Sequence, residues 1–314
     1  MFAPFRHRLE YLGIRTLMAA FRLLPRPTAC RLGAALGWLA GTVVRLRRSV
    51  VDANLGIAFA AAYSRKERDR IARRTYVHFG AVAADLLRLW DKPVEEWMRL
   101  VESVAGMEII EKSLEEAPSA ALLSGHFGCW EFLPMVFAAR GMKMCSMAKP
   151  IHNSLVEAMI RKARAHPGLQ IVTTDESVSR MLRLMKDGWL LGFVADQDAR
   201  KAGVFVDFFG RPASTATGPA LFALRFGLPM IVGFTTRTAQ GKYRFEVDGR
   251  LPQPEGMSQD KAVAELTRLY IQRLEARVRS LPEQYWWFHR RWKTRPPEEG
   301  RQHPISNTEH PMTK

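Results

Sequence analysis

Two spacings of apolar residues run along this chain. Up to about residue 103 they recur at helical intervals. Arg8, Arg15 and Arg22, seven apart, share one face of a first helix, and Leu12, Leu17, Met18, Phe21 and Leu24 populate much of the remainder. Pro25 and Pro27 are expected to break it. The uncharged run 32–44 follows, with 13 residues. A helix needs about 20 to cross a hydrocarbon core, so this run is expected to dip into an interface or pack against the domain. Further on, Ser64 suits the cap of a helix over 65–90 with Ile71, Tyr76, Phe79 and Leu86 on its apolar faces, and Pro93 interrupts the pattern.

From residue 119 the pattern alternates short apolar runs with amphipathic stretches. Residues 120–123 suit a buried strand, and 131–140 read as a helix stopped by Gly141. Pro134 belongs in its first turn, where a missing N–H costs nothing, so Glu131 is expected there too, after an entry loop of Gly128, Cys129 and Trp130. Strands are expected at 143–148, 169–172, 189–195 and 230–236, with helices at 154–165, 177–186 and 215–226 between them. Residues 243–247 read as an antiparallel edge, and 258–280 as a long helix with Ala262, Leu266, Leu269 and Leu274 inward. Such alternation predicts an α/β fold, a central mostly parallel or mixed sheet flanked by helices.

Composition adds an anionic partner. Among 314 residues, 47 Lys and Arg stand against 31 Asp and Glu, a formal charge of +16. Residues 1–50 alone carry nine arginines and one acid, Glu10, a charge of +8. This suits a membrane-associating segment with arginines reaching phosphates, or a basic helix packed on the protein itself. Phospholipid, phosphorylated glycolipid or an acidic protein fits such a charge. Nucleic acid is disfavoured, because no zinc-finger spacing, RNP-like segment or basic heptad region is present. Cys30, Cys129 and Cys145 form no Cys-x-x-Cys pair, which speaks for a reducing compartment without a disulfide framework. The start lacks a small-residue cleavage site after an apolar core, so no removable signal is expected.

The candidate chemistry lies where the first of these strands ends. His126 follows the apolar run, and Gly125 and Gly128 permit a tight loop that brings Glu131 back to the imidazole. A carboxylate on one ring nitrogen would fix the tautomer and leave the other to take a proton from a hydroxyl. Helix N–H groups beside it could stabilise an oxyanion. A capping glutamate beside a backbone-bonded histidine is the plainer alternative. Cys129 reads as a small apolar filler, and Ser124-Gly125 lacks the Gly-x-Ser-x-Gly elbow of serine hydrolases.

His126 and Glu131 form a His-x4-Glu motif. With the blocks Ala195-Asp196-Gln197-Asp198, 204–213 and 282–296, and with Arg47-Arg48 and Asn54-Leu55, the chain resembles bacterial lipid A biosynthesis acyltransferases, relatives of the glycerolipid acyltransferases, over nearly its whole length. The resemblance implies His126 as general base and Glu131 as its support, acting without cofactor or metal on an acyl thioester, from acyl carrier protein or else CoA. It implies a lipid A precursor or similar glycolipid as acceptor. Another membrane lipid, such as a phosphatidylinositol mannoside, an aminolipid or a lysophospholipid, or an inactive membrane-binding scaffold, is the alternative. Lys149, Asn153 and Arg164 fall where the family has a basic, asparagine-containing acceptor motif, though lysine offers charge without a planar fork. Asp196 would orient substrate or bond structurally, and Phe209 and Arg211 would pair an apolar wall with a cation. The organisation expected is a membrane-associating segment over 1–50, an acyltransferase domain over 51–297 and a disordered tail over 298–314, held on the cytoplasmic face of the inner membrane.

Overall fold

The amino-terminal part is helical, as its apolar spacing requires, and two of those helices are held together through glycine. A computed structural model describes residues 3–90, 92–164, 168–173 and 178–297, the side chains of 3, 4, 163, 164 and 178 excepted. The expected tail lies outside them. Helix α1 (Ala3–Leu23) is followed by α2 (Arg26–Thr42), which begins earlier than its uncharged run because Pro27 sits in its first turn. Only one of the two prolines therefore acts as a break. Helices α3 (Arg48–Phe59) and α4 (Arg65–Leu89) come next, α4 opening on a capping box between Ser64 and Glu67. A side chain at Gly33 would meet the Gly80 carbonyl at 2.4 Å, and one at Gly37 the Tyr76 carbonyl at 2.1 Å. α2 thus lies against α4 at a distance only glycine allows. Asp85 of α4, buried, accepts two bonds from Arg26 at 2.8 and 2.9 Å and ties α2 in place.

After α5 (Val94–Met98) the chain enters the sheet through β1 (Val101–Ala105), which helical spacing had hidden, and α6 (Met107–Glu116) leads to β2 (Ala121–Ser124). Then come α7 (Leu133–Ala139), β3 (Met144–Ala148), α8 (Ser154–Arg164), β4 (Leu169–Thr173), α9 (Val178–Lys186) and β5 (Leu190–Val194). A separate antiparallel pair, β6 (Val204–Asp207) and β7 (Pro212–Thr215), precedes α10 (Gly218–Phe226), β8 (Met230–Arg237), β9 (Tyr243–Arg250) and α11 (Gln259–Ser280).

The main sheet has seven strands in the order β1-β9-β8-β2-β5-β3-β4. All neighbours are parallel except β8 and β9. β9 is antiparallel as expected but not an edge, since β1 pairs along its far side. One face packs on α11 through Leu266, Ile271 and Leu274, the other on α7 through Phe132, Val136 and Phe137. Strands buried on both faces need no polar alternation, which is why β2 reads as an unbroken apolar run.

Candidate active site

β2 and β5 are parallel neighbours in which Ser124 pairs with Val194. Two residues beyond each strand end stands a side chain of the candidate site, His126 on one and Asp196 on the other. Register alone therefore joins residues 70 apart in sequence. Asp196 is buried and grips His126 twice: Oδ1 lies 2.6 Å from Nδ1, and Oδ2 accepts from the His126 amide at 2.9 Å. The carboxylate on the imidazole is thus Asp196, where sequence spacing pointed to Glu131. With Nδ1–H donating to Asp196, Nε2 is the basic nitrogen, and Gln197 Nε2 lies 3.2 Å from it.

Glu131 sits in the turn before α7 rather than within the helix, and accepts from Trp130 Nε1 at 3.2 Å. It lines the same cavity as His126, and its charge acts on the ring. Burial pulls the imidazole down, yet the charge and hydrogen bond of Asp196, with the field of Glu131, hold it above the ordinary 6.5. Burial likewise opposes the Asp196 charge, but His126 keeps that carboxyl below its usual value.

The loop carrying His126 is held by three backbone contacts to one segment. Phe127 bridges to Tyr285, the Gly128 amide donates to the Gln284 carbonyl at 2.8 Å, and the Trp286 amide donates to the His126 carbonyl at 2.9 Å. The carboxyl-terminal block thus lays residues 284–286 along the loop. Asn54 Nδ2 holds that block from α3, donating to the Trp287 and His289 carbonyls at 2.8 and 2.6 Å. Gly128 has φ +58, and a side chain there would meet the Thr235 carbonyl at 1.7 Å, so no other residue fits. His78 braces Gly128 from α4 and stays neutral, its pKa pulled to about 3 by burial and by Arg237. Cys129 is buried, which pushes its thiol far up and leaves it a filler.

Nε2 faces a cavity of about 330 Å³. Its floor crosses four strands, from Leu122 and Ser124 on β2, past Gly192 on β5 and Met144 and Ser146 on β3, to Leu169 and Ile171 on β4. Trp130, Leu133 and Pro134 roof it. At a strand spacing of about 4.8 Å this floor is roughly 14 Å long. An apolar slot with one base at its end suits an extended hydrocarbon whose polar end meets His126.

The remaining predicted residues separate. Lys149 lines the cavity mouth and is exposed. Asn153 is buried and fully used: Nδ2 donates to the His7 carbonyl and to Glu10 at 2.9 and 2.8 Å, while Oδ1 accepts from Leu155 and Val156. It joins α1 to the start of α8 and has no hydrogen-bonding capacity left for substrate. The side chain of Arg164, the last residue of α8, lies outside the described residues. Phe209 is buried against Phe59 and Trp287, with φ +56 and its amide on Glu275, so it belongs to the core. Arg211 is exposed beside it, and neither lines the cavity. Asp198 turns away from Asp196 to accept from Thr294 Oγ1 at 3.0 Å. In the carboxyl-terminal block Arg291 is buried against Ser214 and Thr215, whereas Arg290, Lys293 and Arg295 are exposed. Gln197 and the cavity floor had no signal beyond lying in an acidic block or an apolar run.

The chain matches the model of the bacterial lipid A biosynthesis acyltransferase family over residues 3–294. It is 26% identical over 303 residues to the lipid A biosynthesis palmitoleoyltransferase of Escherichia coli (strain K12), covering 93% of both chains. The lauroyltransferase of that organism is 27% identical over 302 residues, again covering 93% of each, and its myristoyltransferase 24% over 293, covering 92% of this chain and 88% of the relative.

Proposed function

The chain belongs to the bacterial lipid A biosynthesis acyltransferase family, and from that premise we propose that it moves a fatty acyl group from a thioester to a hydroxyl of a lipid A precursor. The observation that carries the reading is a carboxylate-held imidazole whose other nitrogen faces a mostly apolar slot. His126 Nε2 takes the acceptor's proton as that oxygen bonds to the thioester carbon. The C–S bond then breaks, and the imidazolium returns the proton to the leaving sulfur. Asp196 holds the ring and favours its charged form, and Glu131 adds to that field. The hydrocarbon of the donor lies across the strands, in the slot.

Gln197 occupies the side of Nε2 that the acceptor must approach, so it gives way to the hydroxyl or shares it. Lys149 offers its charge to an acidic group at the mouth. Acyl carrier protein is the donor we favour, because a chain of charge +16 suits an acidic protein.

The membrane is met through α1 and α2. No helix among the described residues is long and apolar enough to cross it. Leu32, Leu36, Leu39 and Val43 form one exposed stripe on α2, opposite the glycines, and Phe5, Leu9 and Leu12 are exposed on α1. Such helices lie in the interface plane, here on the cytoplasmic face of the inner membrane.

The test is turnover by purified protein given an acyl thioester and a lipid A precursor, with product identified by mass. His126→Ala should fold and lose about 10²–10⁴-fold in rate. Near-normal turnover in that variant would sink the mechanism.

A further inference from the structure

Acyl transfer builds negative charge on the thioester oxygen, and some donor must meet it. Three loop amides beside the imidazole are already engaged. His126 donates to Asp196, Phe127 to the Gly125 carbonyl at 2.7 Å, and Gly128 to that of Gln284. At the entry to α7, Phe132 and Leu133 donate to Cys129 and Trp130 at 2.9 and 3.3 Å. These two amides at the helix start are therefore engaged as well.

Ser124 differs. It is 3% exposed, and its Oγ has no hydrogen-bond partner among the described residues. Buried hydroxyls are nearly always paired, so an orphan beside a reactive group calls for a reason. Its direction follows from strand alternation. Gly125 points toward α11, where a side chain would meet Leu274 at 2.5 Å, whereas Leu122, Ser124 and His126 all line the cavity. The Ser124 carbonyl is already held by the Tyr270 hydroxyl at 2.6 Å, which fixes the backbone beneath the side chain.

We infer that Ser124 is an oxyanion donor: its hydroxyl bonds the carbonyl oxygen of the acyl thioester as the acceptor oxygen adds to the carbon. This rests on the acyl-transfer reading of the site. The bond strengthens as charge develops on the oxygen, and the surrounding apolar walls make it worth more than in water. No covalent step involves Ser124. A nucleophilic serine must lie within hydrogen-bond reach of its base, and Ser124 Oγ has no such contact with His126.

The experiment compares wild type with Ser124→Ala and Ser124→Thr, using an acyl thioester and the lipid acceptor, with a thermal melt of each protein. Ser124→Ala should lower kcat about 10²–10³-fold with KM for the thioester within about twofold. Its Tm should equal or exceed that of wild type, because the variant removes an unpaired buried hydroxyl. Ser124→Thr keeps the hydroxyl and should stay within about tenfold of wild type. Full activity in the alanine variant overturns the inference, as does an equal loss in both variants or a loss that tracks a lowered Tm. An acyl group trapped on Ser124, seen in the intact mass, overturns it in favour of a nucleophile. A wild type that transfers nothing defeats the acyl-transfer reading as well, whereas an active wild type with an equally active Ser124→Ala defeats the donor role alone.

Discussion

Asp196 reaches His126 through both the ring and the backbone amide, so the same carboxylate sets the tautomer and the position of the ring. Its charge also decides when the base is available. Burial lowers the His126 pKa, and Asp196 together with Glu131 more than restores it, so the imidazole titrates above 6.5. A general base works only when neutral. The rate should therefore rise with pH through that raised value, giving an acidic limb centred above pH 6.5. Asp196→Asn removes the charge that favours imidazolium, so the limb should move to lower pH. The plateau should fall as well, by as much as roughly 10⁴-fold, the scale at which loss of such a carboxylate misplaces the tautomer. Measuring kcat/KM against pH for both proteins checks this. A limb that does not move would mean that the Asp196 charge has no hold on His126.

Helix α2 carries two messages on opposite faces. Gly33, Gly37 and Gly41 face α4, and Leu32, Leu36, Leu39 and Val43 face outward. Leucine at position 37 would push into the Tyr76 carbonyl, which as backbone cannot move aside. Gly37→Leu should therefore destabilise the fold by at least the roughly 1–3 kcal/mol typical of overpacking, read as a lower Tm. Charging the outer stripe with Leu36→Glu and Leu39→Glu should leave Tm unchanged and reduce binding to anionic vesicles. Early melting of the outer-face variant, or undiminished vesicle binding, would show that this face packs on protein instead.

The whole molecule enters through its charge. A carrier protein presents a broad acidic surface, whereas CoA is a compact phosphorylated nucleotide, so dispersed positive charge should matter more to the former. With a soluble acceptor analogue, acyl carrier protein is expected to give the higher kcat/KM, and its advantage should shrink as salt rises. Reversing exposed arginines away from His126 should raise its KM more than that of acyl-CoA. Better turnover of acyl-CoA at low salt, with both donors equally affected by the reversals, would reject the carrier while leaving acyl transfer intact.

Much of the architecture was written in local pattern. The strand before His126, the capped helix from Ser64, the proline-started α7 and the α/β alternation each follow from a few neighbouring residues, since backbone preference and apolar spacing act over one or two turns. His126 itself was legible, because an apolar strand delivers it into a glycine-flanked turn. Its partner was not. Glu131 is five residues away in sequence, Asp196 seventy, and only the pairing of Ser124 with Val194 across parallel β2 and β5 makes the distant carboxylate the nearer one. β1 escaped notice for a related reason: a strand that completes an edge takes its stability from β9, not from its own sequence. Asn153 and Phe209 carry motif identities that suggested substrate, yet contacts with α1 and with Phe59 and Trp287 commit them to the scaffold. Local pattern determines which elements form, whereas the identity of the group that meets the His126 imidazole depends on register and packing between elements far apart in the chain.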